Sequence, residues 1–124
     1  MNMFNPYEFY KISKHLYENF DDNEALLRTI IGRAYYSVYL ACREWLRDNF
    51  NIDVNKEAKR REVSVHSVLI ELIYERRREG YFIDFIRELK EKRESSDYEL
   101  KIHITKEDAE RALYLAESVL NGIR

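Results

Sequence analysis

Two short stretches of this 124-residue chain carry groups that could hold or act on a ligand. The first is Arg33-Ala34-Tyr35-Tyr36, set inside a long apolar pattern of helical period. The second is Arg93-Glu94-Ser95-Ser96-Asp97-Tyr98, where another apolar helix runs out. An arginine beside a core is seldom left unpaired, because an uncompensated charge there is expensive. On a helix Arg33 shares a face with Tyr36 and Ser37, while Tyr35 and Tyr39 stand four apart and can stack. Two readings are open. In one, the tyrosines fill the core and Arg33 pairs with a carboxylate such as Asp97. In the other, Arg33 and Arg93 hold a phosphate or an RNA backbone in a cleft, with tyrosines such as Tyr36 flanking a base.

Other chemistries lack their residues. His15, His66 and His103 are isolated, with no His or Cys three or four residues away, so no metal site is expected. The glycines are far apart and make no phosphate loop, and nothing resembles a nucleophile elbow. No cofactor is expected. The single Cys42 excludes an internal disulfide and reads as a small buried residue. A net charge of −2 gives no global attraction to nucleic acid, but Lys59-Arg60-Arg61, Arg76-Arg77-Arg78 and Lys90 to Arg93 are local basic clusters. Such clusters are either solvated helix ends or a phosphate-binding surface. No signal pattern and no membrane-length apolar run is present, so a cytoplasmic protein away from the membrane is expected.

The elements that must position these groups are helices. Hydrophobic content of 45%, with three glycines and one proline, suits a single all-α domain over residues 1–124. Asn5-Pro6-Tyr7-Glu8 starts a first helix with a stripe of Phe9, Ile12, Leu16 and Phe20. Asp21-Asp22-Asn23 breaks it. A long second helix runs from about Glu24 to about Asn49, with Leu27, Ile31, Ala34, Val38, Ala41 and Trp45 at steps of three and four. Asn51 to Glu62 reads as a polar loop, the most flexible part of the chain. Ser64 caps a third helix that is expected to stop at Gly80. The fourth carries Phe82, Phe85, Ile86 and Leu89, and Arg93 and Asp97 continue its inward face. After a connection over residues 95–104, Thr105-Lys106-Glu107-Asp108 starts the last helix, lined by Ala109, Ala112, Leu113 and Ala116. The expected architecture is an antiparallel bundle with mostly short connections.

The run from Leu27 to Tyr39 resembles the signature helix of the HEPN domain, and more particularly of the small stand-alone HEPN proteins of the UPF0332 type. Val65-His66-Ser67-Val68-Leu69-Ile70, Arg93 to Leu100, and Thr105 to Ala109 resemble further segments of that family, in order, over about residues 10–122. The resemblance implies an up-and-down bundle of four long helices plus a short one. It also implies a homodimer in a prokaryotic toxin–antitoxin or defence system, beside a minimal nucleotidyltransferase. Many relatives are metal-independent ribonucleases using an arginine and, a few residues on, a histidine. Here Arg93 occupies the arginine position, but Tyr98, preceded by Asp97, stands where the histidine belongs. Arg61 and His66 match the spacing literally, outside the family's motif position.

Three expectations follow. The preferred one is a nucleotide- or RNA-phosphate-binding protein using Arg33, Tyr36, Arg93, Asp97 and Tyr98, with Tyr98 alternatively an anchor of the bundle or, by analogy with the family, a target for modification by the partner enzyme. The second is a ribonuclease toxin relying on Arg93 or on Arg61 with His66. The third is a purely structural bundle.

Overall fold

Local capping chemistry sets where each helix begins. The computed structural model describes residues 3–123. Helix α1 spans Tyr7–Asn19. Pro6 already has helical dihedrals, and the Asn5 side chain accepts a hydrogen bond from the Tyr7 amide at 3.0 Å. Helix α2 spans Glu24–Phe50, capped by Asn23, which accepts from the Leu26 amide at 2.8 Å. It ends at Asn51, in left-handed backbone with φ 54°.

Helix α3, Val54–Arg61, lies where a flexible loop was expected. Asp53 caps it through the Lys56 amide at 3.1 Å, and Val54 and Ala58, four apart, are its buried residues. Two small apolar residues among six polar ones leave no visible stripe, yet they suffice to seat one short helix on its neighbour. Helix α4 spans Val65–Arg76, with Ser64 accepting from the Ser67 amide. It stops before Gly80, which instead opens α5, Gly80–Tyr98. The stop is made by Arg77, not by glycine. Its backbone is extended, and its guanidinium lies 4.5 Å from the Phe82 ring centroid and donates to the Gly122 carbonyl. Helix α6 spans Lys106–Gly122 and starts in a reciprocal box between Thr105 and Asp108. The last connection is therefore shorter than expected, because α5 keeps residues 95–98.

Among the described residues the chain is thus an all-α bundle of six helices, one more than the sequence pattern yields. Helix α2 packs against α1, α4, α5 and α6. Its Ile30, Ile31, Ala34, Val38, Cys42 and Leu46 are wholly buried. Each large aliphatic chain so buried contributes about 1.5–3 kcal/mol. Burial pushes the Cys42 thiol up to about 12, so it stays a protonated core group. Buried Ala109, Ala112 and Ala116 let α6 come close to the centre.

Side-chain pairs give the directions. Tyr10 donates to Glu117 and Tyr17 to Glu110, so α1 and α6 are antiparallel. Arg111 binds Glu88 and Lys92 pairs with Asp108, so α5 and α6 are antiparallel too. Helix α1 turns its Tyr10 and Ser13 inward and leaves Ile12 and Phe20 exposed, contrary to the apolar stripe read from its sequence. The tyrosine can face the core because its hydroxyl reaches a carboxylate at the rim. No described helix is long and apolar enough to cross a membrane.

Candidate functional site

The site grows from the crossing of α2 and the end of α5. On α2, Leu27, Ile31, Ala34 and Val38 are buried, and this turns Arg28, Gly32, Arg33 and Tyr36 toward the flank. On α5, Ile86 and Leu89 are buried, and the next positions on that side are Arg93 and Ser96. Between the two helices lies a cleft of about 280 Å³, lined by Arg28, Thr29, Gly32, Arg33, Tyr36, Arg93 and Asp97. Gly32 is its floor: a Cβ added there would meet Asp97 Oδ1 at 3.7 Å, an ordinary contact.

Of the three cleft arginines, Arg93 and Arg33 differ in how they are held. Arg93 Nε pairs with Asp97 Oδ2 at 2.9 Å, one helical turn on. Its guanidinium is flanked by two rings, 5.7 Å from the centroid of Tyr35 and 5.5 Å from that of Tyr98. The pair is partly shielded, so Arg93 is a fixed charge rather than a roaming one. Arg33 is exposed and, among the described residues, lies within ion-pair distance of no carboxylate. It rests instead on the rings of Phe9, at 5.6 Å, and Tyr36, at 5.4 Å. The buried Arg33–Asp97 pair weighed from the sequence is therefore absent: Asp97 serves Arg93, and an exposed Arg33 needs no carboxylate.

His66 stands behind Arg93. Its Nδ1 is 2.6 Å from the hydroxyl of buried Tyr35, the residue whose ring Arg93 covers, and its ring meets Tyr39 edge-on at 4.9 Å. Tyr35 and Tyr39 also meet edge-on, at 6.4 Å, rather than stacking flat. Burial lowers the His66 pKa, and the nearby Arg93 and Lys90 lower it further. Burial raises that of Tyr35. Both groups are thus favoured in their neutral forms and share one hydrogen bond, in which the hydroxyl donates to Nδ1 or accepts from Nδ1–H according to the imidazole tautomer.

Arg61 does not join His66. It pairs with Glu57 at 3.2 Å, Glu71 at 3.1 Å and Glu75 at 3.3 Å. Glu71 and Glu75 lie about 140° and 180° around α4 from His66 at 3.6 residues per turn. The sequence spacing of four intervening residues thus spans a helix cap and two opposite faces, and the pair is not assembled.

The residue missed from the sequence is Arg28. Its guanidinium donates to the carbonyls of Ser95 at 3.2 Å, Ser96 at 2.7 Å, Glu99 at 3.2 Å and Ile102 at 2.6 Å, and to Glu24 at 3.3 Å. The Ser96 carbonyl is one that the helix end leaves without an amide partner, the Ser95 and Glu99 carbonyls also accept from the Glu99 and Ile102 amides, and Ile102 belongs to the connection that follows. Arg28 therefore finishes α5 and fixes where Asp97 and Tyr98 stand. The available signal was its spacing, four after Glu24 and four before Gly32 on one face of α2.

Beside Arg28, which is engaged by carbonyls, the arrangement offers one tethered and one unpaired guanidinium, exposed rings and one carboxylate, which is equipment for holding an oxyanion with an attached polar or aromatic group. Among the described residues no group of three or more His, Cys, Asp or Glu side chains could hold a metal ion. No family model matches the chain, and no solved structure does. The chain is similar to an uncharacterized protein of Methanocaldococcus jannaschii, 35% identical over 109 residues. That match covers 80% of this chain and 66% of the relative, so the chain spans just under two thirds of the length of the protein it matches.

Proposed function

We propose that the chain is a HEPN-like protein that binds a nucleotide or RNA phosphate in the α2–α5 cleft. The observation that carries this reading is the free guanidinium of Arg33 opposite the tethered guanidinium of Arg93 across one small cleft. Arg93 is prepaid in orientation, while Arg33 can close on the ligand without breaking an ion pair. Tyr36, 39% exposed, and Tyr98, 66% exposed, supply faces for a base. Asp97 keeps Arg93 in place and leaves Oδ1 facing the cleft.

The test is isothermal titration with mononucleotides and a short oligoribonucleotide. Arg33→Ala and Arg93→Ala should each weaken binding by about tenfold or more, as loss of a charge-assisted contact does. Absence of heat for every ligand would sink the reading.

The setting implied by the resemblance is proposed with it: a homodimer in a toxin–antitoxin or defence system, partnered by a minimal nucleotidyltransferase. Tyr98, Leu100 and Ile102, all exposed beside the cleft, offer an apolar edge for a second protein surface. Light scattering in solution and co-purification of the partner check these two claims.

A second reading has one observation in its favour. His66 is held neutral within one tyrosine of Arg93, which suits a general base serving an arginine-bound phosphate. That ribonuclease would work without metal and leave a cyclic phosphate. RNA cut in the presence of EDTA, and spared by His66→Ala or Arg93→Ala, would establish it. Arg61 plays no part in it, since its guanidinium is engaged by three glutamates.

A further inference from the structure

Two arginines, one closing α4 beside the end of α2 and one just beyond α4, are as free as Arg33. Among the described residues, Arg76 and Arg78 lie within ion-pair distance of no carboxylate, and the acids next to them in sequence are occupied. Glu75 pairs with Arg61 and Glu79 with Arg77. Each free guanidinium lies over an exposed ring: Arg76 over Phe50 at 5.1 Å, and Arg78 over Tyr74 at 5.8 Å. Phe50 is 42% and Tyr74 48% exposed. A cation in the last turn of a helix complements the helix dipole, and this accounts for Arg76. It does not account for Arg78, which lies beyond the helix, nor for two large rings left in water.

A line of residues joins this end to the cleft. Arg33, Tyr36, Leu40, Arg43, Arg47 and Phe50 follow one another along α2 at steps of three and four. They form a stripe that winds slowly around the helix. From Arg33 to Phe50 it rises about 25 Å at 1.5 Å per residue. Arg43 and Arg47 both pair with Glu44 and remain partly open to solvent. Basic groups interleaved with exposed rings are the surface chemistry of single-strand binding, where phosphates meet guanidiniums and bases meet rings.

We propose that Phe50, Tyr74, Arg76 and Arg78 form a second contact surface for single-stranded RNA, engaging a strand whose other end occupies the cleft. The proposal rests on the RNA branch of the reading above and extends it. A mononucleotide can reach only the cleft, whereas an oligonucleotide can reach both places.

The experiment is fluorescence anisotropy with a labelled dinucleotide and a labelled 12-nucleotide RNA, over a range of salt. The proteins are the wild type, Arg33→Gln, and the double variant Arg76→Gln with Arg78→Gln. The double variant should bind the longer RNA at least about tenfold more weakly and leave the dinucleotide unchanged. Its plot of log affinity against log salt should flatten by about 1.4, at about 0.7 per lost phosphate contact on a single strand. Circular dichroism melting confirms that each variant is folded, and an Arg-to-Lys version of the double variant should recover the salt slope. Unchanged affinity and slope for the longer RNA overturns the proposal. Dependence on Arg76 and Arg78 but not on Arg33 keeps this surface and removes the cleft reading. No RNA binding at low salt by the wild type removes both.

Discussion

At the scale of single residues, Arg33 and Gly32 separate function from stability. Arg33 rests on Phe9 and Tyr36 in the open, so Arg33→Ala forfeits only exposed cation–π contacts, about 0.5–1 kcal/mol each. A thermal midpoint should fall by only a few degrees, while affinity for the proposed ligand drops by about tenfold or more. The much larger loss expected for breaking a buried pair would instead mean that Arg33 has a partner carboxylate. Gly32 makes the opposite test. Its backbone is helical, and an added methyl would touch only Asp97 Oδ1 at ordinary distance. Gly32→Ala should therefore raise stability by about 0.5–1 kcal/mol through helix propensity. The same methyl fills part of the cleft floor, so binding should weaken as stability rises. A protein more stable and equally competent in binding would show that the ligand does not approach α2 there.

At the scale of elements, one side chain decides how α5 ends. Arg28 is largely shielded, and its donors tie the end of α5 to the connection that follows through the carbonyls of Ser96 and Ile102. Arg28→Ala should cost about 1.5–3 kcal/mol, since hydrogen bonds from a charged donor exceed neutral ones. Hydrogen exchange should speed up over residues 95–104 more than elsewhere, because that segment loses its anchor. Uniform acceleration across the chain would argue against so local a role. Arg28 also explains a limit of the sequence reading. The stripes of α2, α5 and α6 were legible because each buries many apolar residues at helical period, and the caps Asn23, Ser64 and Thr105 announce themselves. The inward turn of Tyr10, the stop at Arg77 and the clasp of Arg28 were not legible. Each depends on a partner more than forty residues away: Glu117, Gly122 and the carbonyls from Ser95 onward. Helix α3 escaped for a different reason, since two buried residues make no periodic signal. In the cleft, Arg33, Tyr36, Arg93 and Asp97 were legible as a group, but which carboxylate served which arginine was not.

At the scale of the whole molecule, the same buried cluster links the site to global stability through pH. His66 has a folded pKa below its usual value near 6.5, caused by burial and then by Arg93 and Lys90. Below that usual value the unfolded chain takes up a proton that the folded chain resists, so folding is disfavoured as pH falls. The contribution of His66 is complete above pH 6.5 and is lost as pH drops from there through the folded pKa. The acids with lowered pKa values belong to another window. Glu24, Glu57, Glu79, Glu88 and Asp108 contribute stability that is present above their usual values near 4 and lost as pH falls further. Two steps should therefore separate on the acid side, the first belonging to histidine. Urea midpoints measured from pH 7.5 to 5.0 should fall for the wild type in that first window. His66→Asn keeps a hydrogen-bonding partner for the Tyr35 hydroxyl but has no proton to bind, so its profile should be flatter there, even if its stability at pH 7.5 is lower. Parallel profiles for the two proteins would mean that the imidazole charges in place, and that the Tyr35–His66–Arg93 cluster tolerates a second cation within the fold.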